Sequence, residues 1–251
     1  MRTAQQTDTG HIRMINEDRF AVHHDLHGYT LAIVADGMGG HQAGDVASQM
    51  AVDLISDALK GLRADMTAEE YSQAVKAAIE TANERIFEFA SQQEKYRGMG
   101  TTVVVALASP ESLVIGHIGD SRAYLVQDDR IIQLTEDHTL VNELVRTGQI
   151  SAEEASTHPH RHVITRALGT EPAIAAELNR YTWKAGDIVL LCSDGLSGSV
   201  GQDTLLNLIR REASLEEKVR MLVDEALSAG GEDNITAVLL ANEQANEDGE
   251  G

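Results

Sequence analysis

Four aspartates close apolar runs, and each sits beside Gly, Ser or Asn: V-A-D-G-M-G-G-H with Asp36, H-I-G-D-S-R with Asp120, L-C-S-D-G-L with Asp194 and G-G-E-D-N-I-T with Asp233. One strand-end aspartate is ordinarily a turn former or a helix cap. Four of them in the same setting are harder to explain as caps. Carboxylates set at the mouths of buried strands repel one another, and hard cations are what make such a gathering tolerable. An all-oxygen ligand set without cysteine favours Mg²⁺ or Mn²⁺ over Zn²⁺ or Cu²⁺. The backbone carbonyl of Gly37 offers one more oxygen of the same kind.

Other chemistries are weaker. The Gly-rich stretch after Asp36 lacks the Lys-Ser/Thr of a phosphate-cradling P-loop and misses the dinucleotide spacing. Cys192, the only cysteine, lies inside the run Ile188–Cys192, where it reads as a small buried side chain, not a nucleophile. It also leaves neither an internal disulfide nor a thiolate zinc site. His158-Pro159-His160-Arg161-His162 invites a zinc reading, but no Cys or Glu nearby completes a tetrahedron. Arg13 precedes Glu17 by four residues and Asp18 by five, and an arginine beside a cation cluster can grip phosphate bidentately.

The elements that would carry these residues follow from periodicity. Arg19–His24 and Tyr29–Ala35 read as strands. Residues 43–59 place Ala43, Ala47, Met50, Ala51, Leu54, Ile55, Ala58 and Leu59 on one helical face. The box Thr67-x-x-Glu70 opens a second helix, with a stripe of Tyr71, Val75, Ile79, Ala82, Ile86 and Phe89. Residues 101–108, 112–118 and 122–127 read as antiparallel strands joined by turns at Ser109-Pro110 and Gly119-Asp120-Ser121. A short helical pair follows at 139–146 and 151–156, then an irregular loop at 158–162. Strands return at 177–183 and 187–192. A helix over 214–227 closes at Gly230-Gly231 and leads to a last strand at 234–241. This order predicts an α+β domain with helices layered over antiparallel sheets. Residues 1–241 read as one domain and 242–251 as an acidic disordered tail.

The chain has 251 residues, with 20 basic and 40 acidic side chains for a net charge of -20. That acidity argues against nucleic acid or an anionic membrane as partner. No stretch approaches the roughly 20 apolar residues of a membrane helix, and no apolar leader follows Met1, so a cytoplasmic setting is expected.

In order along nearly the whole chain, T-D-x-G-x-x-R-x-x-N-E-D, A-D-G-M-G-G-H, M-G-T-T, G-D-S-R, D-H-T, R-H-V-I-T-R-A-L-G, C-S-D-G-L and G-G-x-D-N-I-T resemble the metal-dependent Ser/Thr protein phosphatases of type 2C, the PPM family, in its compact bacterial form. The resemblance implies a central antiparallel β-sandwich flanked by helices on both faces, with two Mn²⁺ or Mg²⁺ ions at one end. By matching position, Asp36 bridges both ions, Gly37 adds its carbonyl, and Asp194 and Asp233 complete one ion's shell. Glu17 and Asp18 match acidic positions that bind metal or hold its waters, and Asp120 matches the ligand of a third, weaker ion. Arg13 would hold phosphate oxygens, and His41 matches a position proposed as general acid. The stretch around His158–His162 matches a flap beside the active site.

The function so implied is hydrolysis of phosphoserine and phosphothreonine by a hydroxide bridging the two ions, with phosphorylated proteins as substrates and a Ser/Thr kinase as counterpart. Two alternatives stand beside it. A catalytically weak metal- and phosphoprotein-binding module would share the fold, but degenerate relatives would lose ligand aspartates that are present here. A metal-dependent nuclease is disfavoured by the net charge of -20.

Overall fold

The computed structural model describes residues 1–39 and 43–243. Eleven strands and seven α-helices are resolved among them. The strands are β1 (Arg2–Asp8), β2 (Asp18–Leu26), β3 (Tyr29–Met38), β4 (Gly100–Thr101), β5 (Val103–Ala108), β6 (Leu113–Ile118), β7 (Arg122–Gln127), β8 (Arg130–Gln133), β9 (Glu177–Tyr181), β10 (Ile188–Cys192) and β11 (Ile235–Ala241). The helices are α1 (Ala43–Leu59), α2 (Ala68–Gln92), α3 (Leu140–Arg146), α4 (Ala152–Ser156), α5 (Asp194–Ser197), α6 (Gln202–Ile209) and α7 (Leu215–Ser228).

The strands form two antiparallel sheets, ordered β1-β11-β10-β7-β8 and β2-β3-β5-β6-β9, with β4 paired to the end of β3. Side chains alternate between the two faces of a strand, and that alternation builds three cores. In β3, Leu31, Ile33 and Ala35 pack against α1 and α2. Ala32 and Val34 point the other way, into the space between the sheets, where they meet Leu125, Val189, Leu191, Val238 and Leu240. On the far side Leu190, Cys192, Ala237 and Leu239 meet α6 and α7. The fold is therefore the expected α+β sandwich with helices on both faces. Strands buried on both faces carry near-continuous apolar runs, which made them easy to find.

The capping boxes at Thr67–Glu70, Ser151–Glu154 and Ser214–Glu217 all form, each with reciprocal side-chain and backbone bonds. Elsewhere the structure corrects the reading. The polar N-terminus, where the sequence marks no element, is a strand: Arg2–Asp8 pairs with β11 over its whole length, from Arg2↔Ala241 to Asp8↔Ile235. It is an edge strand with only Ala4 buried, so it carries no apolar alternation to detect. Edge strand β8 was missed for the same reason. Helix α6, with Leu205, Leu208 and Ile209 at helical spacing, was missed although its signal was present. Ala58, placed on the buried face of α1, is exposed.

Asn242 is buried, donates from N to Asp187 O at 3.0 Å and from Nδ2 to Pro110 O at 2.9 Å, and so continues the ordered chain. Of the expected tail, residues 244–251 lie outside the described residues. No helix among the described residues is long and apolar enough to cross a membrane.

Candidate active site

The strand alternation that fills the sandwich also loads its mouth. In β3 the inward row Ala32, Val34 continues to Asp36, and in β2 the partly buried Phe20 and Val22, packed in the same core, continue back to Asp18. The two aspartates are direct cross-strand partners in the β2–β3 register. Like charges opposite one another destabilise a sheet. The sequence placed Asp36 and Gly37 in a turn after the strand, but both remain inside β3, because Gly37 and Met38 pair with Thr101 and Gly100 of β4.

Hydroxyls and amides hold this end of the sandwich. Thr102 Oγ1 accepts from Asp36 N at 3.2 Å and lies 2.6 Å from Ser121 Oγ, while Thr101 Oγ1 donates to Asp36 O at 2.8 Å. Ser193 Oγ donates to Asp18 Oδ2 at 2.7 Å, leaving Asp18 Oδ1 buried with no partner. Glycine is required at two points. A Cβ on Gly37 would strike the backbone of Gly44 in the first turn of α1, and one on Gly195 would strike Asn234 O.

The remaining carboxylates arrive from four different elements. Asp194 opens α5 directly after β10, Asp233 precedes β11, Asp120 sits in the turn that carries the chain from β6 in one sheet to β7 in the other, and Glu17 precedes β2. Burial pushes Asp36 well above the ordinary carboxylate value, and the charges of Asp18, Asp194, Asp120 and Asp233 push it further. Burial likewise raises Asp18 to about 7, with Asp194 and Asp233 adding to the rise. Asp120 is raised to about 7 by burial and then by Asp194 and Asp137. Asp194 is raised by burial and by Asp233, a bond from Asp36 partly offsetting them. Asp36 thus senses four other aspartates that are separated from it in sequence.

A cavity of about 480 Å³ opens over them, lined by Arg13, Glu17, Asp36, Gly37, Asp194 and Asp233, with Arg161 and His162 from the 158–164 segment. A second cavity of about 370 Å³ is lined by Asp120 and Arg122 and shares Asp194, Arg161, His162 and Gly198 with the first. Asp120 therefore faces a neighbouring compartment, with Asp194 common to both. Asp120 Oδ1 is buried and unpartnered, as Asp18 Oδ1 is. Two orphaned carboxylate oxygens within an all-oxygen set are what a hard divalent cation satisfies, so these residues fit Mn²⁺ or Mg²⁺.

Glu17 takes a second job. Its carboxylate meets the backbone N–H groups of Asp45 and Gly44 at the start of α1, where the helix dipole favours an anion. Burial nonetheless raises its pKa. Arg13 Nη2 donates to Asp233 Oδ2 at 2.7 Å. His41 lies outside the described residues.

Sequence reasoning overlooked Asn234, which is the hub of the site. Its Oδ1 accepts from Glu17 N at 2.8 Å, and its Nδ2 donates to Thr9 O at 2.9 Å and Ile15 O at 3.0 Å. One amide thereby ties the Arg13 segment, Glu17 and β11 together, and the D-N pair was the only signal. Arg122 was also passed over: it reaches Asp137 with Nε at 2.9 Å and Nη2 at 2.6 Å, crossing the floor of the second cavity. Burial opposes its charge, but the Asp137 bonds overcome this and raise its pKa.

Another grouping, His117, His138 and Glu177, brings metal-type atoms within 4.8 Å of one another. Protein contacts already occupy two of its atoms. His138 Nδ1 accepts from Gly119 N at 3.0 Å, so in neutral imidazole Nε2 carries the proton; it lies 3.0 Å from Glu177 Oε1 but makes no hydrogen bond. His117 Nε2 donates to Glu136 O at 2.9 Å. The backbone N of His138 also donates to Gly119 O at 3.0 Å, so His138 clamps the turn that presents Asp120.

Residues 8–239 match the family described as Protein phosphatase 2C. The chain is 44% identical over 240 residues to the serine/threonine phosphatase stp of Listeria welshimeri, covering 96% of this chain and 95% of that one. It is 37% identical over 241 residues to the protein phosphatase PhpP of Streptococcus pneumoniae, covering 96% and 97%. The serine/threonine phosphatase PstP/Ppp of Mycobacterium tuberculosis superposes with a TM-score of 0.87 at 36% identity, over 97% of this chain and 99% of that one. The catalytic domain of PstP in complex with two manganese ions superposes with a TM-score of 0.81 at 36% identity, over 95% and 96%.

Proposed function

The chain belongs to the protein phosphatase 2C family, and we infer that it is a metal-dependent protein serine/threonine phosphatase whose paired Mn²⁺ or Mg²⁺ ions are held by Asp36, the Gly37 carbonyl, Asp194 and Asp233. When bound, such ions acidify water at neutral pH and neutralise charge developing on the phosphoryl group. The chain's own residues hold and orient. Ser193 turns Asp18 so that its orphaned Oδ1 serves the ion shell or its waters, and Glu17 does the same from the mouth of α1. Asp120, clamped by His138, takes a weaker third ion in the adjoining compartment. Arg13 has five N–H donors, and a phosphate oxygen arriving in the cleft shares or replaces its bond to Asp233. His41 is proposed as general acid to the leaving alkoxide on its position in sequence.

The substrates are phosphorylated proteins. A cognate Ser/Thr kinase, a cytoplasmic location and a single catalytic domain running through β11 are further parts of the proposal. The observation that carries it is the Asp18–Asp36 pair, opposed across two strands, with Asp18 buried and one of its oxygens left unsatisfied. Calorimetric titration with Mn²⁺, run beside phosphate release from a phosphothreonine peptide, tests it. Saturable binding and chelator-sensitive release are expected in the wild type, and both are lost in Asp36→Asn. Full turnover in excess EDTA overturns the reading.

A further inference from the structure

Among the described residues five large apolar side chains stand exposed: Ile12 at 68%, Met14 at 94%, Ile15 at 40%, Ile132 at 45% and Val163 at 44%. Single exposed apolar residues are ordinary on a protein surface, but a local gathering of them marks a contact site. Four of the five fall in the two segments that wall the ion cleft. Ile12, Met14 and Ile15 flank Arg13, and Val163 stands between His162 and Ile164, all three of these neighbours lining the cleft. The first segment is pinned in place. His11 N donates to Gly231 O at 2.7 Å, Gly10 N to Asp8 Oδ1 at 2.8 Å, and Asn16 Nδ2 to Thr7 Oγ1 at 2.8 Å, besides the two bonds from Asn234. Ile12 and Met14 are thus held out into water beside the arginine and cannot fold back into a core.

We propose that Ile12 and Met14 form an apolar shelf beside Arg13 that selects phosphoproteins carrying an apolar side chain within about two residues, or ~7 Å of extended chain, of the phosphorylated Ser or Thr. The occupant is an extended phosphopeptide segment. Ile12 and Met14 adjoin Arg13, which lines the cleft that takes the phosphate. The preferred segment is therefore apolar beside the phosphoresidue. Apolar contact is the means by which an acidic enzyme can hold a substrate whose only strong charge is the phosphate.

This inference rests on the phosphatase reading, and the test separates the two. Hydrolysis of N-acetyl phosphothreonine amide with Mn²⁺ reports the chemistry alone. Phosphothreonine peptides differing only in Leu or Ser at the adjoining positions report the shelf. The wild type is expected to prefer Leu over Ser by about 5- to 20-fold in kcat/KM, the range an apolar contact supplies at a partly open site, mostly through KM. The double variant Ile12→Ser/Met14→Ser should lose the preference while its rate on the amide and its thermal midpoint stay unchanged. A wild type that treats Leu and Ser peptides alike overturns the proposal, as does a double variant that keeps the preference. A change confined to self-association in sedimentation, or to binding of phosphatidylglycerol vesicles, also overturns it and assigns the shelf to a second copy or a lipid surface. If the amide itself is not hydrolysed, the phosphatase reading fails and the shelf proposal falls with it.

Discussion

At the scale of the residue, the site sets like charges against one another, and this makes single substitutions informative in two directions. Asp194→Asn keeps the side chain's shape and removes one charge from a crowded, buried set. Its kcat should fall by about 100-fold or more, the loss of several kcal/mol of charge stabilisation. Its thermal midpoint in EDTA should equal or exceed the wild type's, because a repulsion has gone. A variant less stable in EDTA than the wild type would show that Asp194 serves the fold instead. His138 offers a sharper contrast, since only its Nδ1 accepts a hydrogen bond from the Gly119 turn. Asn places an acceptor where Nδ1 sits, and Gln places its amide where Nε2 sits. His138→Asn should therefore keep the Gly119 turn, whereas His138→Gln should lose it and raise the Mn²⁺ concentration needed to fill the weakest site by about 10-fold or more. Mn²⁺ electron paramagnetic resonance counts the bound ions directly, and equal titrations for the two variants would refute the clamp.

At the scale of the element, the sandwich mouth depends on hydroxyls that no apolar pattern reveals. Thr102 Oγ1 serves both Asp36 N and the buried Ser121 Oγ. Thr102→Val keeps the volume and strands both partners, so denaturant unfolding should show a loss of about 1–3 kcal/mol. Mn²⁺ affinity should weaken in parallel, as the end of β3 is no longer fixed. The capping box of α2 supplies the control. Thr67→Ala removes a bond of the same class far from the cleft and should cost about 1 kcal/mol with no change in kcat or Mn²⁺ affinity. Equal effects of the two substitutions on metal binding would show that Thr102 acts only through global stability.

At the scale of the whole molecule, the raised carboxyls couple folding to pH and to cations. A carboxyl whose pKa is higher folded than unfolded binds more protons in the folded state between the two values. For Asp18 and Asp120 that window runs from 3.8 to about 7. Stability of the metal-free protein is thus fully present below the window and is lost as pH rises through it, by up to about 1.4 kcal/mol per pH unit for each such group. The thermal midpoint in EDTA should fall between pH 5 and pH 7.5, and the gain on adding Mn²⁺ should grow over the same interval. A midpoint in EDTA that climbs with pH across that interval would contradict the shared, buried carboxylate site.

Much of this was legible in the chain itself, and the boundary is physical. The doubly buried strands, the amphipathic helices and the three capping boxes announce themselves because burial and capping leave local periodic marks. The clustered aspartates, and the family they point to, were legible because metal chemistry restricts residue type more tightly than packing does. What left no mark was whatever depends on a partner distant in sequence. β1 is a strand only because β11 lies beside it. Asp36 lies inside β3 because β4, more than sixty residues on, extends the pairing. Asn234 became the hub only when the fold brought Thr9, Ile15 and Glu17 to its amide. Nothing in the sequence marked Ile12 and Met14 as exposed neighbours of an arginine that lines the cleft. Composition and spacing determine which groups can do chemistry, whereas long-range pairing alone decides which of them meet, since a hydrogen bond across two hundred residues has no local pattern to betray it.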